Sequence, residues 1–454
     1  MQLKQTLSTL TALLSFTATT TNAITIDTAD SSSICEAVAL VQDGVLDYYA
    51  GTQYGGTIGM FQNPYYWWEA GEAFGSLLGA WYFCKNDTFE DLIFDALMAQ
   101  RGDHYDYIPS NQSLTEGNDD QGFWGLAVME AAERNFTNPG DDEPGWLALT
   151  QAVFNTMWSR WDEDNCGGGL RWQIFTWNSG YSYKNTISTA CLFTLAARLG
   201  RYTGNETYID IANTAYEWLV DVGFVVEGDS AAVYDGAEIA DDNCTDITKI
   251  EWSYNMGLLM AGSAYAYNAT EDDTWLQRTE MFVKGASIFF DNDIMYERAC
   301  QSSKSCNTDQ RSFKSIFSRC LGQTAMLAPT THDTIWTWIQ ASAKGAAASC
   351  VGGYDKHTCG LDWTTGSNDG NYGLGEQISA LEIFNALLIN DRPAPYSNET
   401  GGTSEGNAAL GTNTEVTALE TNDLNITGKD RAGSGILTAV ILAIMTGGAI
   451  WMVL

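Results

Sequence analysis

"NFTNPGDDEPGW" (135–146) is a polar turn with acidic residues that ends on an aromatic, and the chain repeats that composition. "CKNDTF" (84–89), "YTGNETY" (202–208) and "NATEDDTW" (268–275) are built the same way, and each contains an Asn-x-Ser/Thr acceptor. The four recur at intervals of about 50–70 residues, the mark of a repeated supersecondary unit. On either side of each, apolar residues return at helical spacing, and alternating strand patterns are few. The unit is therefore a helical hairpin. Extended along the chain, the periodicity predicts twelve helices, at 32–50, 66–85, 88–101, 118–136, 144–160, 184–200, 205–222, 248–267, 273–290, 309–328, 331–347 and 374–391. The connections before the even-numbered helices (51–65, 102–117, 161–183, 223–247, 291–308, 348–373) are long and rich in Gly and aromatics. Short turns at one end and elaborated loops at the other predict an all-α fold, an (α/α)6 toroid of six helical hairpins. Its inner helices start at the elaborated end. Loops on a rigid scaffold carry function, so the site belongs there, and glycans on Asn86, Asn135, Asn205 and Asn268 belong at the opposite rim.

Both ends of the 454-residue chain read as processing signals. Residues 1–23 have one early Lys, an apolar stretch and small residues, as a secretory signal peptide does. The tail "SGILTAVILAIMTGGAIWMVL" (434–454) follows a polar spacer and has no basic flank after it. A GPI-attachment signal, with residues 436–454 removed, fits better than a terminal membrane helix. The domain organisation expected is a catalytic domain over 24–395, a disordered Gly/Ser/Thr/Asn-rich stalk over 396–435, and that tail. The protein then sits on the outer face of the plasma membrane or in a cell wall, held by a lipid anchor. Further acceptors at Asn111, Asn243, Asn398 and Asn425 make it a glycoprotein. Ten cysteines in a secreted chain predict disulfides, with Cys35–Cys84, Cys300–Cys306 and Cys350–Cys359 the pairs that spacing and hairpin geometry allow.

A net charge of −35 excludes nucleic acid and anionic lipid surfaces as partners but leaves neutral ligands open. Sixteen Trp and 21 Tyr suit both a core and the stacking of sugar faces. No metal or cofactor is expected: CxxC is absent, and His104, His332 and His357 are scattered. "DEDNCGGG" (162–169) resembles a calcium loop but lacks ligands at Cys166 and Gln173, so it reads as a solvated loop. A monomer is expected.

The chemistry concentrates in "NDDQGFWGLAVMEAAE" (118–133), where Asp119 and Asp120 open a core-facing helix. Helix capping alone would account for one acid. Two adjacent carboxyls before Phe123 and Trp124 are costly unless they have a task. Glycoside hydrolysis uses such a pair, about 5–5.5 Å apart in retaining enzymes. The helix terminus is expected to lower one pKa and the neighbouring charge to raise the other. Trp67, Trp68, Glu69, Trp172, Trp177, Tyr183, Asn185, Asp235, Tyr254, Asn255 and Tyr372 fall on the same elaborated face and are the expected sugar contacts.

With "CGGGLRWQIFTWNSGYSYKNTIS", "LGRYTGNETYIDIANTAYEWL" and "IEWSYNMG", the aspartate segment resembles glycoside hydrolase family 76, over about 30–390. The resemblance implies α-1,6-mannanase chemistry on an (α/α)6 fold, with Asp119 as nucleophile and Asp120 as acid/base. Together with the terminal signals it implies the fungal cell-wall branch, which processes the GPI core glycan and moves anchored proteins onto wall glucan. The alternatives are a plain endo-α-1,6-mannanase of wall mannan and a catalytically inactive mannan-binding protein. One departure stands at Met256, where the bacterial pattern carries Gln; it points away from the bacterial polymer and from free hydrolysis.

Overall fold

The computed structural model describes residues 24–239, 243–354, 356–412, 437–442 and 444–446. Its helices are α1 (Ser31–Leu46), α2 (Trp67–Cys84), α3 (Glu90–Ala99), α4 (Asn118–Glu133), α5 (Trp146–Ser159), α6 (Thr186–Thr203), α7 (Glu206–Asp221), α8 (Ser253–Thr270), α9 (Asp273–Ala286), α10 (Phe313–Leu327), α11 (His332–Ser349) and α12 (Leu374–Ala386). All twelve expected helices are present. The even-numbered helices form a closed inner ring in which α2 packs on α4, α4 on α6, and so on round to α12 on α2. The odd-numbered helices stand outside, each against one or two inner neighbours.

The two rings differ in sequence for a physical reason. An inner helix meets protein on every side, so α4 and α12 are buried over nearly their whole length and carry no polar face. Such helices approach closely only where side chains vanish. A Cβ on Gly122 of α4 would stand 2.5 Å from the Cβ of Cys191 on α6, and one on Gly262 of α8 would stand 2.4 Å from the Phe193 ring. An outer helix such as α7 buries one stripe (Tyr208, Ala212, Ala215, Tyr216, Leu219) and keeps the rest wet. Its start is fixed by Asn205, whose side chain accepts from the Thr207 amide.

The lower half of the ring's axis is filled with charge. Arg198 of α6 bonds Glu130 at 2.9 Å and Glu133 at 2.6 Å, both on α4. Arg319 of α10 bridges Glu72 of α2 and Glu382 of α12. Gln323 donates to Glu130 at 3.0 Å, and Tyr265 of α8 donates to Glu133 at 3.0 Å. Every inner helix thus contributes to one network. Burial works to raise the Glu130 pKa, but Arg134, Arg198 and Arg319 outweigh it and hold it down to about 2.

Two expectations change. Residues 396–412 are not stalk: they cross the short-turn rim and the outer face of α5. Tyr396 N donates to Glu133 O, Asn398 N to Tyr202 O, and Asn155 Nδ2 to the carbonyls of Ala408 and Leu410. A polar segment that cannot form a core still docks by backbone hydrogen bonds. The remainder of the expected stalk, the signal peptide, Asn425 and most of the tail lie outside the described residues. No helix among the described residues is long and apolar enough to cross a membrane. The start expected for the eighth helix at 248 is also displaced. Ile247–Thr248 is instead the edge of a three-stranded antiparallel sheet with Tyr183–Asn185 and Gly236–Glu238, which ties two elaborated loops together.

Disulfides join Cys35–Cys84, Cys300–Cys306 and Cys350–Cys359 as expected, and also Cys166–Cys244. Cys191 and Cys320 remain buried thiols, since both face the packed interior. Asn86, Asn135 and Asn205 follow the C-terminal ends of inner helices, and Asn268 lies in the last turn of α8, all at the rim opposite the helix starts. Asn111 and Asn243 lie instead in the elaborated loops.

The axial network predicts that Arg198→Ala costs about 3–5 kcal/mol, the usual cost of orphaning buried carboxylates. Removing the more exposed Arg298, paired with Glu251 at 3.0 Å, should cost under about 1 kcal/mol. Urea unfolding of both variants measures the contrast.

Candidate active site

The first turn of α4 lies on the elaborated face, and the loop over 161–183 is bonded to it. Asn118 N donates to Trp172 O at 2.8 Å, and Trp172 N donates to Tyr183 O at 2.7 Å. Asn118 Nδ2 reaches Arg171 O. These bonds press Trp172 over the helix start, where its indole Nε1 donates to Asp119 Oδ2 at 3.0 Å. Asp120 folds back: its Oδ2 accepts from the Gly117 amide at 2.6 Å, as a capping residue does. Gly117 is the pivot. A Cβ there would stand 2.2 Å from Asp119 Oδ1 and 2.9 Å from Asp120 Oδ2. Those two oxygens are therefore no farther apart than the two lengths laid end to end, about 5.1 Å.

The pair opens into a cleft of about 400 Å³ whose walls include Tyr66, Trp68, Leu114, Phe123, Trp172, Tyr254 and Phe313. Trp68 lies against Phe123 at 4.7 Å, and Tyr254 stacks on Phe313 at 3.8 Å. Gln173, Asn178, Ser179 and Asn307 add hydrogen-bonding groups. A third carboxylate, Asp309, faces the same space and accepts from Trp68 Nε1 at 2.8 Å.

Burial dominates the electrostatics. It lifts the Asp119 pKa to about 7; the Asp309 charge adds to the rise, while the helix-start amides and the Trp172 indole oppose it. The expected lowering by the helix terminus is thus outweighed by desolvation. Asp120 is pushed well up, first by burial and then by the Asp119 charge, as expected. Behind it stands Glu116, fully buried, with neither oxygen hydrogen-bonded among the described residues. Burial and then the Asp120 charge raise its pKa well above the usual carboxylate range.

Of the expected sugar contacts, Trp68, Trp172 and Tyr254 line the cleft. The others do not. Trp67 turns into the core, stacked on Trp124 at 5.4 Å with its indole donating to Gln100. Glu69 is buried as a cap: it accepts from Tyr66 N and Ser312 Oγ. Asn185 caps α6 through the Ser188 amide. Tyr183 donates to Asp235 at 2.7 Å, and both serve the small sheet. Asn255 is buried inside α8. Trp177 is exposed beside the cleft, stacked on Phe175 and bonded to Ser113 O. Tyr372 is exposed on the rim, outside the cleft lining. Met256 is buried against Gly285 of α9, so the departure there does not touch the site.

The calcium-like loop has a different occupant. Lys184 Nζ donates to the carbonyls of Asp162, Asn165 and Gly168 and lies 3.4 Å from the Asp162 carboxylate. Among the described residues no group of three or more His, Cys, Asp or Glu side chains is placed to hold a metal ion. Asp309 and Glu116 were not among the expected site residues: Asp309 opens the expected helix 309–328, where an acid reads as a cap, and Glu116 ends the loop just before the aspartate pair.

An (α/α)6 toroid with close carboxyls in an aromatic cleft at the helix starts has the architecture of a glycoside hydrolase. Residues 33–399 match glycosyl hydrolase family 76, and the chain belongs to that family. Mannan endo-1,6-alpha-mannosidase DFG5 of Saccharomyces cerevisiae is 62% identical, over 95% of this chain and 94% of its own length. The DCW1 protein of the same yeast, also called a mannan endo-1,6-alpha-mannosidase, is 56% identical over 95% of this chain and 96% of its own. Among solved structures, Dfg5 from Chaetomium thermophilum in complex with glucosamine is 37% identical, with a TM-score of 0.83 over 87% of this chain and 99% of that one. An inactive variant of the α-1,6-mannanase GH76A of Salegentibacter sp., in complex with α-1,6-mannotriose, shares the fold at 17% identity and a TM-score of 0.63, over 78% of this chain and 99% of that one.

Gly117→Ala should displace both carboxyls, because its methyl would overlap Asp119 Oδ1. The expected loss in kcat/KM is about 100-fold or more, the usual result of misplacing reacting groups by 1 Å. Circular dichroism should show an unchanged helix content.

Proposed function

We propose that this chain is a retaining enzyme of α-1,6-mannosyl linkages. Its substrate is the mannose- and glucosamine-containing core glycan of GPI-anchored proteins, and its product is a protein joined to wall glucan. The observation that carries the reading is the approach of the Asp119 and Asp120 oxygens to within about 5.1 Å in an aromatic cleft. That spacing suits double displacement and is short for inversion, which needs about 6.5–9.5 Å for a water.

Asp119 is the nucleophile. The Trp172 N–H stabilises its anion, and its free Oδ1 attacks the anomeric carbon. Asp120 is the acid. Its Oδ2 accepts from the Gly117 amide as a carbonyl oxygen does, which leaves the proton on Oδ1 for the departing glycosidic oxygen. A mannosyl ester on Asp119 results. Asp120, now ionised, takes the proton from an acceptor hydroxyl, which attacks and releases Asp119. A glucan hydroxyl gives transfer, and water gives hydrolysis.

The names of the yeast relatives support a second reading, an endo-α-1,6-mannanase that hydrolyses wall mannan. The glucosamine bound by the Chaetomium thermophilum relative favours a glycan that carries an amino sugar. Retention of both aspartates argues against an inactive binding protein. A GPI signal, if used, would keep the enzyme at the outer membrane face, where anchored proteins are.

Asp119→Asn and Asp120→Asn should each lower kcat by about 10⁴-fold without loss of stability. With an activated mannosyl donor, intact-protein mass spectrometry should find an adduct on Asp119 in the Asp120→Asn variant and none in the Asp119→Asn variant. An adduct on Asp120 would reverse the roles, and full activity in either variant would return the pair to helix capping. In the wild type, kcat/KM should rise as pH climbs through the Asp119 ionisation, near 7, and fall where Asp120 loses its proton. Transfer is tested by adding a glucan oligosaccharide to a GPI-core donor and looking for the cross-linked product.

A further inference from the structure

The short-turn rim, at the other end of the ring from the cleft, holds a second concavity. Its volume is about 450 Å³, and Trp81, Tyr82, Lys85, Arg134, Arg392 and Tyr396 form most of its wall. Helix α2 connects the two ends. Trp68 near its start lines the catalytic cleft, and Tyr82 near its end lines this pocket, roughly 21 Å away along the axis.

The chain has 57 acids against 22 Lys and Arg, yet three cations and one acid, Asp87, line this pocket. Helix capping explains part of that. Arg392 donates through Nε and Nη2 to the carbonyls of Tyr82 and Phe83, at 3.3 and 2.6 Å, and so closes the end of α2. Arg134 caps α4 and is paired from behind with Glu130 at 2.8 Å. Neither Arg392 nor the exposed Lys85 pairs with a carboxylate among the described residues. The two guanidinium groups also crowd one ring. Cζ of Arg134 lies 4.4 Å and Cζ of Arg392 5.9 Å from the Tyr82 centroid, so the two are no more than about 10.3 Å apart. Like charges this close repel, and an anion beside them relieves the repulsion.

The walls are held in place. Tyr396 N donates to Glu133 O at 2.8 Å. Asn135 borders the pocket, but its amide is turned to the docked segment, donating to Gly401 O and accepting from Thr403 N, each at 2.9 Å. Two open cations, Arg392 and Lys85, suit a group that carries about two charges. A phosphate monoester does so at neutral pH, whereas a carboxylate carries one. The half-buried rings of Trp81, Tyr82 and Tyr396 offer apolar surface to the face of a sugar.

We propose that this pocket is a non-catalytic binding site for a phosphorylated sugar, with Arg392 and Lys85 taking the phosphate and the aromatic wall taking the ring. The enzyme would then be held on a phosphate-bearing glycan by the end opposite the cleft, and the cleft stays free to work. The site lies outside the proposed reaction and does not depend on it.

Titration calorimetry of the full chain with mannose 6-phosphate, mannose and inorganic phosphate tests this. The lining of the catalytic cleft includes no Lys, Arg or His, so the charged probes report the rim pocket. Mannose 6-phosphate should bind about tenfold more tightly than mannose, the effect of one charge-assisted bond, and more tightly than inorganic phosphate. Raised salt should weaken it. Lys85→Gln should lower its affinity about threefold to tenfold, and Arg392→Gln should lower it at least as much. Arg392→Gln also removes the cap of α2; should it fail to fold, Lys85→Gln, at an exposed position, decides. Mannose 6-phosphate bound no better than mannose, or bound by Lys85→Gln as by the wild type, would overturn the site. Inorganic phosphate bound as tightly as the sugar phosphate would overturn the assignment of a sugar.

Discussion

Six helices packed side by side in a ring must fill the space they enclose, and the bonds of Arg198 and Arg319 to glutamates do so here. Apolar side chains from six directions would have to interdigitate on one line. A guanidinium instead spans the gap and bonds several helices at once: Arg198 joins α6 to two carboxylates of α4, and Arg319 joins α10 to α2 and α12. Burying these charges is not in itself a source of stability, since desolvation offsets most of the attraction. Its value is in register. A helix shifted by one turn leaves a carboxylate without its partner, so the six helix starts are held level with one another.

That register matters because the reacting groups sit at the other end of the same helix. Glu130 and Glu133 are eleven and fourteen residues beyond Asp119 on α4, roughly 16–21 Å along its axis. The plugged half of the ring forms the floor, and the open half forms the cleft. Desolvation then acts on Asp119 and Asp120 from below while the aromatic walls limit water from the sides. The helix terminus is overruled, and both pKa values rise. What separates the two acids is local: a Trp172 indole N–H for one, and the neighbour's charge for the other.

The fold was largely legible in the sequence, because hairpin repetition and apolar periodicity report long-range packing directly. The four polar turns marked where inner helices end, and all twelve helices followed. What stayed hidden depended on side-chain direction or on irregular chain. Trp67 and Trp68 are neighbours in sequence, yet one is core and the other cleft, since successive helical residues point about 100° apart. Glu69 and Asn185 looked like ligands because capping residues and binding residues share the same chemistry at a helix start. The docked segment 396–412 was misread as stalk because its composition shows only that it cannot form a core of its own. Asp309 was missed for a related reason: it opens the expected helix 309–328, where an acid reads as a cap, whereas α10 starts only at Phe313.

The division between scaffold and loop also explains where specificity belongs. The toroid persists in a bacterial protein at 17% identity, with a TM-score of 0.63, so the ring tolerates almost complete replacement of its sequence. Met256 belongs to that ring: its side chain packs against Gly285 of the outer ring and does not line the cleft. The cleft is assembled from the starts of α2, α4, α8 and α10 and from loops that join different hairpins, with Trp172 from one and Asp309 from another. Those loops are held by backbone bonds to the helix starts, so a side chain in them can change without disturbing the ring. Selection for a different glycan would act on residues such as Asp309, which face the cleft from a loop and are not required by the double displacement itself.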